Sequence, residues 1–70
     1  MSIAPLDIAV IVVVYNKLHP ACLTSLKRVV ELSPLSIEVV VVDNASPNLD
    51  VATMTHEAYP KAHLIVCRKN

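Results

Sequence analysis

The chain has 70 residues, six Lys+Arg against six Asp+Glu, and 54% hydrophobic residues with no Phe and no Trp. A chain of this size makes one small domain and buries only about 60% of its unfolded surface. Balanced charge gives no basic footprint for nucleic acid or anionic membrane, and Tyr15 and Tyr59 are too few for a base-stacking platform. The complete absence of glycine excludes both the phosphate-cradling P-loop and the Gly-rich dinucleotide fingerprint.

In chain order, the apolar, β-branched run Ile8 to Val14 predicts a strand, Asp7 to Val14, buried on both faces as in a parallel sheet. A polar elbow, Tyr15-Asn16, closes it. A helix follows from about Pro20 to Leu32. Pro20 suits the first helical position, where a missing N–H costs nothing. Leu23, Leu26 and Val30 recur at helical spacing, with Lys27, Arg28 and Glu31 on the polar side. Ser33-Pro34 ends it, because the residue before proline is pushed out of the α region. A second apolar strand, Ile37 to Val42, runs into a second polar elbow, Asp43-Asn44-Ala45-Ser46. A weaker helix is expected from about Leu49 to Tyr59, with Leu49, Ala52 and Met54 as a poor stripe, and Pro60 stops it. His63 to Arg68 reads as the last strand.

This order, β-α-β-α-β, predicts an α/β fold with a three-stranded parallel sheet joined by right-handed crossovers. With the strands in order 3-2-1, both helices cover one face and leave the other bare. The runs Ile8 to Val14 and Val39 to Val42 are apolar on both faces, so a large patch should be exposed. Further polypeptide, a partner chain, or self-association through the uncovered face would hide it. Cys22 and Cys67 are expected to be free thiols packed as small hydrophobes.

Ligands of open parallel sheets bind outside the carboxyl ends of the strands, where both elbows fall. Asp43 is placed to accept hydrogen bonds from a ribose. Asn44, which both donates and accepts, suits the edge of a pyrimidine. The plainer reading is that Asp43 or Ser46 satisfies turn amides. Tyr15 offers an apolar face for stacking and a hydroxyl at the wet edge; its alternative is a ring lying over the end of the first helix. Lys17 could neutralise a phosphate, though a lone lysine is ordinarily a solvated surface residue. His19-x-x-Cys22 and His63-x-x-x-Cys67 mimic zinc spacing. Residues four apart on a strand, however, lie roughly 13 Å from each other at about 3.3 Å per residue, too far for one ion.

The apolar strand closed by Tyr15-Asn16, the helix, and the apolar strand closed by Asp43-Asn44-Ala45-Ser46 together resemble the opening of family 2 glycosyltransferases. These are inverting, nucleotide-sugar-dependent enzymes of GT-A fold, a Rossmann-like nucleotide-binding architecture. The likeness runs from about Ile8 to Asn70. It implies that residues 1–70 correspond to the N-terminal nucleotide-binding part of such a domain. It further implies that Tyr15, Asp43 and Asn44 form the nucleoside pocket, with a backbone contact from Val13. The two positions before the tyrosine are commonly Pro-Thr or Thr-Ser in the family. Val13 and Val14 stand there instead, which removes a hydroxyl contact. Asn44 occupies a position that is often Asp, keeping an acceptor but losing a charge. That pattern is similar to members using deoxythymidine diphosphate sugars, rhamnosyltransferases among them.

The resemblance implies a nucleoside diphosphate sugar of uridine or deoxythymidine type as ligand. The acid-x-acid motif that holds a divalent metal (Mg or Mn), the catalytic Asp base and the acceptor-binding half are all expected after Asn70. No catalytic residue and no metal ligand is therefore assigned within the chain. Arg68-Lys69-Asn70 resembles the approach to the family's next Gly-rich turn. Two rivals stand beside this reading: a non-catalytic module docking through its bare sheet face, and another nucleotide-binding α/β protein using Asp43 on a ribose. The lead-in Met1-Ser2-Ile3-Ala4-Pro5-Leu6-Asp7 lacks the basic start of a signal peptide. No apolar run approaches the roughly 20 residues of a membrane span. The expected location is cytoplasmic, with the cytoplasmic face of the membrane as an alternative for a complete enzyme.

Overall fold

A computed structural model describes residues 6–68; the early lead-in residues and the approach formed by Lys69 and Asn70 lie outside them. Three strands, β1 (Ile8–Val14), β2 (Ile37–Asn44) and β3 (His63–Cys67), alternate with two helices, α1 (Pro20–Leu32) and α2 (Val51–Ala58). All pairing is parallel, and β2 lies between β1 and β3. The chain is α/β, in the partial Rossmann-like form expected.

Alternation along the strands sorts the side chains onto two faces. On one face Val10, Val12 and Val14 of β1 stand beside Val39, Val41 and Asp43 of β2. Here Val14, Val39 and Val41 pack with Leu23 of α1, Val51 of α2 and Tyr59 into a single buried cluster. Leu26 and Val30 pack against it, so the stripe expected for α1 does face the sheet. Both helices therefore cover the same face. On the other face the pairs Ile11↔Val40 and Val13↔Val42 continue to Ile65 of β3. Ile11, Val13 and Ile65 are 65%, 67% and 52% exposed. The imidazole of His63 and the carboxylate of Glu38 meet 3.7 Å apart beside this patch.

Four expectations need correction. Strand β2 does not stop at Val42: Asp43 and Asn44 are its last two residues, pairing with Val66 and Cys67. Polar side chains do not end a strand while the backbone still has a partner. Helix α2 is shorter than expected and begins after Asp50, whose carboxylate accepts the Thr53 N–H at 3.0 Å and the Thr53 hydroxyl at 2.8 Å. Its buried side is Val51 and Thr55, spaced one turn apart; of the expected stripe, Leu49 packs against the core from just before the helix, Met54 is half-buried and Ala52 is exposed. Finally, Cys22 is an exposed thiol in the first turn of α1, not a packed one; Cys67 is half-buried, and both are free.

Candidate functional site

The β1–β2 ladder ends with Val14 opposite Asp43, both buried. The chain leaves each strand through a residue with left-handed backbone, Asn16 (φ 56°) after β1 and Ala45 (φ 55°) after β2. Asparagine adopts this region readily because its short polar side chain bonds locally; alanine does so at a cost of roughly 1–2 kcal/mol. With no glycine in the chain, both turns are made by residues with a Cβ. Strained backbone of this kind tends to gather at functional sites.

Side chains then join the two elbows. The Asn16 N–H donates to Ser46 Oγ at 2.8 Å, and the Asn48 N–H donates to Asn16 Oδ1 at 2.8 Å. Within the second elbow, the Ser46 N–H donates to Asp43 Oδ1 at 3.0 Å. Asp43, only 7% exposed, thus performs the turn-amide role that was its plainer reading. Its position at the strand end keeps it at the same rim as a ligand would use.

The expected site residues fall as follows. Tyr15 is 54% exposed and directly follows Val14, the last β1 residue paired with β2. Asn44 is half-buried at the end of β2, opposite Cys67. Tyr15, Asp43 and Asn44 are therefore brought to one rim. Val13 lies one residue before Val14, paired with Val42, with its side chain on the bare face. Lys17 is exposed beyond the first elbow. The sequence reading assigned no joining role to Asn16, Ser46 and Asn48. The signal for Asn16 was available: an asparagine just past a strand, in a chain without glycine, is the residue best able to turn left-handed.

A cavity of about 450 Å³ lies elsewhere, lined by Lys27, Val30, Glu31, Tyr59, Pro60 and Lys61. These residues come from the last turns of α1 and from the segment after α2, just before the next strands begin, so they sit at the end of the sheet opposite the elbows. Lys61 follows the end of α2, where the partial negative charge of a helix carboxyl end favours a cation. The cavity's other notable group is the Tyr59 phenol, held above its ordinary pKa first by burial and then by the nearby Glu31 carboxylate.

Comparison with known proteins adds the family. The sequence profile of glycosyl transferase family 2 matches residues 9–70. The chain belongs to that family. No curated protein and no solved structure matches it. Among the described residues, no helix is long and apolar enough to cross a membrane.

Proposed function

We propose that this chain binds the nucleoside of a nucleoside diphosphate sugar, as the N-terminal nucleotide-binding part of a glycosyltransferase domain. The observation that carries the reading is the meeting of the two elbows at one rim, Tyr15 on one and Asp43-Asn44 on the other, joined through Asn16 and Ser46. Tyr15 stacks on the base, Asn44 reads its edge, and the Asp43 carboxylate faces the ribose. The Val13 backbone completes the contact. A uridine or deoxythymidine nucleotide fits this set because a pyrimidine edge carries both a donor and acceptors, which an amide complements. Asn44 in place of an acid favours the deoxythymidine, rhamnosyltransferase-like end of that range.

Among the described residues, no three His, Cys, Asp or Glu gather closely enough to hold a metal ion. No step of this reading runs through a metal, and no residue of the chain is assigned catalysis.

Titration calorimetry of the 70-residue chain tests the proposal. Uridine or deoxythymidine diphosphate should bind more tightly than adenosine diphosphate. Asn44→Ala should lose about 0.5–1.5 kcal/mol of that affinity, the usual worth of one hydrogen bond. Equal binding of the three nucleotides would defeat the reading. Turnover of a nucleotide sugar above that of a Tyr15→Ala, Asp43→Ala control would show that the chain holds chemistry not assigned to it. The bare sheet face favours a second reading, a non-catalytic module that docks or self-associates through Ile11, Val13 and Ile65.

A further inference from the structure

Backbone pairing between β1 and β2 stops at Val14↔Asp43. Both chains turn away immediately afterwards, and strand ends without further fastening open readily. What continues the connection is a set of side-chain bonds. Asn16 donates its N–H to Ser46 Oγ and accepts the Asn48 N–H on its own Oδ1, both at 2.8 Å across 30 and 32 residues of sequence. Ser46 in turn donates its N–H to Asp43. Asn16 makes both bonds from a left-handed backbone, and Ala45, the neighbour of Ser46, is turned the same way.

We propose that Asn16 and Ser46 are positioning residues: they clasp the two elbows and so fix Tyr15 relative to Asp43-Asn44 without touching the nucleoside. The proposal rests on the nucleoside reading above and assigns a role which that reading does not contain. More than half of Tyr15 is exposed, so burial does little to hold it; the bonds of its neighbour Asn16 anchor the chain on one side of it. Holding a stacking ring and a base-reading amide in fixed relation before the ligand arrives removes an ordering cost from binding. The clasp should therefore act on affinity and selectivity together. A clasp that served folding alone would alter stability and leave selectivity untouched.

The test uses the full chain and three variants. Ser46→Ala removes the hydroxyl that accepts from Asn16 but keeps the N–H bonded to Asp43. Ser46→Thr keeps a hydroxyl. Asn16→Gly keeps the left-handed turn and removes Oδ1. In the ligand-free proteins, Ser46→Ala should release the Asn16 amide to faster hydrogen exchange and move the Tyr15 ring resonances, while Ser46→Thr preserves both. With ligand, Ser46→Ala and Asn16→Gly should weaken uridine diphosphate binding about 3- to 10-fold and adenosine diphosphate binding less, narrowing the ratio between them; Ser46→Thr should stay within about twofold of the unmodified chain. Unchanged Tyr15 resonances in Ser46→Ala, or a loss of affinity equal for both nucleotides, would overturn the clasp. Failure of the unmodified chain to prefer uridine diphosphate would overturn the nucleoside reading instead, and the ligand-free measurements still decide whether the elbows are clasped.

Discussion

Val14 and Asp43 face each other as the last pair of the β1–β2 ladder, a buried aliphatic side chain beside a buried carboxylate. Asp43 is tolerated there because Oδ1 accepts the Ser46 N–H at 3.0 Å. Removing the carboxylate should leave that amide without its partner, which costs about 1–3 kcal/mol when the group stays buried. Asp43→Ala should lower stability to urea by that order. Asp43→Asn, which keeps an acceptor oxygen, should cost clearly less. Equal losses in the two variants would mean that the bond to Ser46 is not what makes Asp43 acceptable.

Thr55 is 3% exposed, and its hydroxyl has no hydrogen-bond partner. Burying an unpaired hydroxyl costs about 1–3 kcal/mol in proteins. Thr55→Val keeps the branched shape and removes the polar atom. It should raise stability by about 1 kcal/mol, read as a higher denaturation midpoint at unchanged slope. A loss of stability would show that the hydroxyl finds a partner in solution.

The bare face predicts behaviour in solution. Fully burying an aliphatic side chain is worth about 1.5–3 kcal/mol, and several on this face go without it. The isolated chain should bind a hydrophobic dye and sediment above its monomer mass. Ile11→Lys with Val13→Lys should reduce both while leaving the circular dichroism of the fold in place. A dye-silent monomer with a sharp melt would contradict this.

Tyr59 gives a pH dependence with a definite sign. Its folded-state pKa lies above the ordinary tyrosine value because burial, and then the Glu31 carboxylate, disfavour the phenolate. The unfolded chain releases that proton sooner. The stability contributed by the neutral phenol is therefore whole below about pH 10 and is lost as pH rises through the raised folded value. Ultraviolet titration of tyrosinate in a Tyr15→Phe background should show the late titration. Glu31→Gln should bring it partly back toward the ordinary value, since burial remains.

The elements that follow from local chemistry were legible in the sequence. The apolar run of β1, Pro20 at the start of α1 and Ser33-Pro34 after it fix their boundaries with no knowledge of neighbours. The one-sided helix cover followed from element order alone. What local chemistry does not hold was missed. Asp43 and Asn44 look like loop residues until Val66 and Cys67 arrive to pair with them. Helix α2 buries β-branched Val51 and Thr55 because α1 and the sheet lie against that side, against its own weak propensity. Capping by Asp50 had a readable signal, Asp followed three residues later by Thr, that a search for apolar stripes passes over. The Asn16–Ser46 bond joins residues 30 apart, and no local pattern announces it.

Because side chains alternate along a strand, Asp43 and Asn44 cannot serve the same side of β2. Asp43 belongs with Val39 and Val41 on the helix side, and Asn44 with Val40 and Val42 on the bare side. A nucleoside touching both must straddle the carboxyl end of the central strand, ribose toward the helices and base toward the uncovered side. On the proposed nucleoside reading, whatever comes to lie on that uncovered side also becomes a wall around the base. Shelter for the apolar strands and recognition of the base would then be completed in one event.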